Sequence, residues 1–155
     1  MRIAILTISD TRLLEDDASG ERLAELAAGI ASSVTRDVVT DDLEAIVEKL
    51  RELCDSGEVD CILTTGGTGI ASRDNTPEAT RAVIERESPG IAEAMRRETA
   101  AKTPFAMLSR AVSGIAGHTL IVNMPGKPNA VEECFEVIRP VLKHAVELLH
   151  GRTAH

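Results

Sequence analysis

The chain has 155 residues, with 17 Lys and Arg against 25 Asp and Glu, a net charge of −8. Its length suits one domain, and its acidity excludes non-specific nucleic-acid binding, which needs clustered cations against phosphate. With no Trp, no Tyr and two Phe, stacking platforms for bases are missing and the core must be aliphatic.

Arg2–Ile8 is almost wholly apolar, as expected of a strand buried on both faces. The run is too short for a signal sequence, and no apolar stretch reaches membrane-spanning length. The three cysteines show no CxxC spacing, which predicts free thiols in a cytoplasmic protein. An acidic, flexible segment, Thr11 to Gly20, precedes a predicted helix over Glu21–Ala31 with Leu23, Leu26 and Ile30 on one face. Val34–Val39 reads as a strand, and Asp42–Ser56 as a helix through Leu43, Ile46, Val47, Leu50 and Leu53 that ends at Gly57. Val59–Thr65 is a third apolar strand.

The rhythm breaks at Gly66 to Thr76. Thr76-Pro77-Glu78 then predicts a helix start with a Thr cap, carrying Ala79, Ala82 and Val83 inward and stopping before Ser88-Pro89-Gly90. A helix over Ile91–Ala101 follows, then short strands at Ala111–Ile115 and Thr119–Met124. The closing helix, Asn129–Leu149, opens on a capping-box pattern, Asn129 with Glu132. Strands alternating with helices predict an α/β domain spanning 1–155, its mostly parallel sheet covered by helices on both faces. Ligands on such sheets sit beyond the carboxyl ends of the strands.

The densest chemical signal is Thr64-Thr65-Gly66-Gly67-Thr68-Gly69, at the end of the third strand. Closely spaced glycines let the backbone turn several N–H groups onto one anion; a plain tight turn is the alternative. No Lys follows as a P-loop requires, and Gly67-Thr68-Gly69 does not open a helix directly as a dinucleotide fingerprint would. Asp74 shares this loop. It either joins a divalent cation to phosphate or bonds its own backbone near a helix start. Asp41-Asp42 and Ser9-Asp10 follow the second and first strands, although Asp41-x-x-Glu44 also fits a capping box. Arg110 is a candidate anion fork, and Pro125-Gly126-Lys127-Pro128-Asn129 a second anion site at a helix start. The histidines at 118, 144, 150 and 155 lack metal-ligand spacing, and no GxSxG is present.

In combination these motifs resemble a known family. Thr64 to Gly69, Ser72-Arg73-Asp74-Asn75-Thr76-Pro77-Glu78-Ala79-Thr80, Val83 to Gly90, Thr103 to Arg110 and Asn123 to Cys134 are similar to molybdopterin adenylyltransferases. That family comprises bacterial Mog and MoaB proteins and the G domains of a plant cofactor-synthesis protein and of gephyrin. With Ile5 to Asp10 the resemblance covers nearly the whole chain. It implies a three-layer α/β fold, homotrimers or hexamers, and Mg-ATP-dependent adenylylation of molybdopterin with release of pyrophosphate. A non-catalytic molybdopterin carrier of the MoaB type is the alternative. The resemblance also implies hand-over of the product to a molybdate-insertion protein, while charge, composition and the short apolar runs leave neither nucleic acid nor membrane as an expected partner. By motif match Asp74 and Asp41 are the catalytic, Mg²⁺-holding acids, with Asp42 competing for the second place. Gly66, Gly67, Thr68 and Gly69 would hold phosphate. Ser109, Pro125, Gly126 and Asn129 would line the pterin end, and Ser9 and Asp10 the nucleotide side.

Overall fold

A computed structural model describes residues 1–11 and 13–152; Arg12 and His155, both within the predictions above, lie outside them. Strand β1 (Arg2–Ile8) lies inside the sheet, paired in parallel with β2 (Ser33–Val39) on one side and β3 (Cys61–Thr65) on the other. That position accounts for its unbroken apolar run: residues 3 to 8 are all buried. Beyond β3 come β6 (Thr119–Met124), also parallel, then β5 (Ser113–Ala116) and β4 (Arg86–Glu87), each antiparallel to its neighbour.

The alternation of side chains along these strands divides the core in two. Ile3, Ile5, Leu63, Val122 and Met124 face α1 (Ala18–Ala28), α4 (Pro89–Ala100) and α5 (Pro128–Leu149), where Leu23, Met95 and Phe135 meet them. Ala4, Leu6, Ile62 and Ile121 face α2 (Leu43–Asp55) and α3 (Thr76–Arg81) through Ile46, Leu50 and Ala79. The result is the three-layer α/β arrangement predicted, with helices on both faces. No described helix is long and apolar enough to cross a membrane.

Several boundaries differ from the sequence reading, each for a local reason. Helix α1 begins at Ala18 because buried Asp17 caps it, accepting from the Gly20 N–H at 2.9 Å. Burial pushes the Asp17 carboxyl up, but bonds from Thr7, Gly20, Ser19 and Arg36 outweigh it and hold the group below its ordinary value. Helix α3 ends at Arg81, and the chain turns into β4, whose two exposed residues carry no alternation to read. No capping box forms at Asn129: Lys127 is the cap residue, Pro128 takes the first helical position, and Glu132 pairs with Arg22. The thiols of Cys54, Cys61 and Cys134 are free, and burial pushes them up to about 11, 12 and 11.

Candidate functional site

Because β1, β2, β3 and β6 run the same way, their carboxyl ends open on one edge of the sheet, and four loops meet there. The loop after β3 is the centre. Gly66 has φ +101° and a side chain there would fall 2.5 Å from the Ile8 carbonyl oxygen; Gly67 has φ +62° and lies under the Thr76 hydroxyl. Only glycine accepts both the left-handed backbone and this crowding. Thr76 then ties the loop back on itself, its hydroxyl donating to the Gly66 carbonyl at 2.9 Å and its N–H to the Gly67 carbonyl at 3.1 Å. The threonine predicted to cap α3 therefore sits inside its first turn and holds the loop instead. On the other side the Thr65 hydroxyl donates to the Pro125 carbonyl at 2.7 Å, joining this loop to the one after β6. The N–H groups of Gly67, Thr68 and Gly69 donate to nothing among the described residues, so three adjacent donors stay open for an anion.

Three carboxylates surround that row, one from each neighbouring strand end. Asp42 caps α2, accepting from the Ala45 N–H at 2.9 Å, so the capping role predicted for Asp41 belongs to its neighbour. Asp41 turns instead to the loop. It accepts from the Asn75 N–H at 3.3 Å, and both its carboxylate oxygens stand 3.3 Å from where a Gly67 side chain would begin. Burial pushes the Asp41 carboxyl above its ordinary value; the Asn75 N–H opposes this, and the charges of Asp74 and Asp10 add to it. Asp74 packs against Gly69 and accepts from the Ala71 N–H at 2.9 Å, the loop bond foreseen as its plainer role. Asp10 accepts from the Asp41 N–H at 2.9 Å and pairs with Arg73.

No group of three or more His, Cys, Asp or Glu side chains among the described residues is arranged to hold a metal ion alone. Asp41 and Asp74 nevertheless fit Mg²⁺ that arrives on phosphate, since this hard ion is usually held by one or two carboxylates plus substrate oxygens. The mutual repulsion felt at Asp41 is what such a cation would relieve.

Beside the loop lies a largely apolar cavity of about 320 Å³ between α4, the turn Pro104–Leu108 and the loop after β6. Ser109, Pro125 and Gly126 line it, together with Thr68 and Gly69 of the Gly-rich loop and with Ala92, Met95, Phe105 and Cys134, to which the sequence reading assigned no site role. Phe105, 74% exposed, was the legible clue: one of two aromatic residues, in the irregular stretch before Ser109. Asn129 lines other grooves, one beside α1 and one between α4 and α5, rather than this cavity. The groove between α4 and α5 is larger, about 860 Å³, but its four glutamates against Arg97 and Lys102 repel an anionic ligand. Arg110 is not a free fork, since Glu78 and two loop carbonyls already take its guanidinium.

With this geometry, the likeness to known proteins has a structural footing. A family model described as "Probable molybdopterin binding domain" matches residues 4–144. The molybdenum cofactor synthesis protein cinnamon of Drosophila melanogaster is 45% identical over 149 residues, 94% of this chain but 25% of that protein, so the chain spans a quarter of that relative's length. A molybdopterin adenylyltransferase of Helicobacter pylori is 36% identical over 156 residues, covering 97% of this chain and 89% of that one. A crystal structure of molybdenum cofactor biosynthesis protein B superposes with a TM-score of 0.91 at 38% identity, over 97% of this chain and 96% of that chain. The chain belongs to the molybdopterin-binding family of molybdenum cofactor biosynthesis proteins.

Proposed function

We propose that this protein is a molybdopterin adenylyltransferase, moving the adenylyl group of ATP onto molybdopterin and releasing pyrophosphate. One observation carries the reading: an open row of N–H donors at Gly67, Thr68 and Gly69, with Asp41 and Asp74 beside it and an apolar cavity adjoining. In the reaction, an oxygen of molybdopterin's terminal phosphate forms a bond to the α-phosphorus of ATP. The bond from that phosphorus to the bridging oxygen breaks, and pyrophosphate leaves with the electron pair. The nucleophile is ionised at neutral pH, so no general base is required, and catalysis comes from alignment and charge stabilisation.

The chain's own residues divide that work. The N–H row and the Thr68 hydroxyl receive phosphoryl oxygens, Gly66 giving the backbone its turn. Ser109, Pro125 and Gly126 border the pterin, and the apolar wall excludes water from the reacting phosphates. Asn129 lines the neighbouring grooves rather than this cavity. Ser9 and Asp10 border the nucleotide, Asp10 orienting Arg73. Asp41 and Asp74 would hold Mg²⁺, which neutralises phosphate charge when bound.

The same reading takes residues 1–155 as one domain acting as a homotrimer in the cytoplasm, where free thiols persist. Its product passes to a protein that inserts molybdate. Purified protein mixed with molybdopterin, ATP and Mg²⁺ is expected to yield adenylylated molybdopterin, seen by chromatography and mass, and Asp74→Asn to lose turnover while keeping molybdopterin affinity. Molybdopterin binding without product would replace this reading with that of a carrier.

A further inference from the structure

The loop bearing Asp74 is held by a residue 36 positions away. The Arg110 N–H donates to the Thr68 carbonyl at 2.8 Å, its Nε to the Gly69 carbonyl at 2.6 Å, and one terminal nitrogen to the Asp74 carbonyl at 2.6 Å. Its remaining donors meet Glu78 on α3. The residues on either side, Ser109 and Ala111, line the apolar cavity, and Arg96 of α4 holds their carbonyls at 3.4 and 2.9 Å. A short strap is therefore anchored to the cavity wall at one side and to the acidic loop at the other. Only a planar fork with several fixed donors can serve three acceptors in this way; an ammonium offers a single point.

We propose that Arg110 is the positioning residue of the site: it sets Asp74 and the open N–H row in register with the cavity. It acts through the loop and touches no substrate. The inference rests on Asp74 being an acid of adenylyl transfer.

The test compares Arg110→Met, Arg110→Lys and Glu78→Gln with the unaltered protein, with thermal unfolding as the check on folding. In Arg110→Met, kcat falls about 10- to 100-fold and the Mg²⁺ concentration for half-maximal rate rises by a similar factor, as when a group orienting a ligand is lost. The molybdopterin KM stays within about threefold, because the cavity wall is still held by Arg96. Arg110→Lys recovers only part of the rate, and Glu78→Gln shows a smaller loss of the same pattern. Hydrogen exchange at the Gly69–Asp74 amides, measured without substrate, speeds up in the same order. A folded Arg110→Met protein with unchanged exchange and Mg²⁺ requirement overturns the proposal. So does a loss confined to molybdopterin KM, which would make Arg110 a substrate contact. Absence of product from the unaltered protein refutes the transfer reading instead, and exchange then still decides whether Arg110 holds the loop. Should Arg110→Met not fold, the Lys and Gln variants carry the same comparison.

Discussion

Asp41 and Asp42 are adjacent and chemically identical, yet their surroundings give them different work. Asp42 faces open N–H groups at the start of α2 and satisfies one of them. Asp41 lies between Asn75 and Gly67 with two other acids near, and its carboxyl is raised. The native state therefore binds a proton there more readily than the unfolded chain does. The stability owed to this group falls as pH rises from the unfolded carboxylate range through the raised value, so the ionised group is a cost at neutral pH. Two substitutions separate the pair. Asp42→Ala is expected to lower stability by about 1 kcal/mol with turnover retained. Asp41→Asn is expected to raise the melting temperature and to cut adenylylation by about 100-fold. Denaturation and steady-state rates on both variants check this; a stability loss in Asp41→Asn would contradict the crowding of charge at that site.

At the scale of elements, the strand starts are knotted as firmly as the strand ends are left open. Asp60, just before β3, accepts from the Arg2 N–H at 2.7 Å and pairs with the Arg2 guanidinium at 2.8 Å. Its own carbonyl accepts from Leu120 at 3.1 Å, so one residue joins the starts of β1, β3 and β6. The Arg2 guanidinium beside Asp60 holds its carboxyl down at about 2, with burial opposing and the Arg2 N–H and His150 adding to the effect. A depressed carboxyl contributes stability that is complete above the unfolded value and is lost as pH falls through the folded one. Unfolding followed from pH 5 to pH 2 is thus expected to lose about 1–2 kcal/mol through this group, allowing for solvent screening of the half-exposed Arg2. Asp60→Asn is expected to flatten that part of the profile; an unchanged slope would remove Asp60 as its source. The elements themselves were legible where packing is strongest. Strands β3 and β6 are buried throughout and β1 from Ile3 onward, so their sequences are mostly apolar, whereas β4 is two exposed charged residues at an edge and carries no such signal.

For the whole molecule, the sheet carries its parallel strands at one side and an antiparallel pair at the other, while Val141 and Leu148 leave apolar surface on α5. On the proposed trimer, sedimentation velocity at micromolar concentration is expected to show a species of three times the chain mass; a lone monomer would remove that part of the reading. By itself the sequence determined the fold class, the place of the Gly-rich loop and the set of candidate acids, because hydrophobic period and turn chemistry are local properties of the chain. It could not determine which of Asp41 and Asp42 reaches that loop, since both fit a cap and only the direction of one N–H separates them. Nor could it show that Arg110 is committed to Gly69, Asp74 and Glu78. Those contacts join residues more than thirty positions apart. They exist only once strand order and helix packing have brought the segments together, and periodicity along the chain carries no record of that.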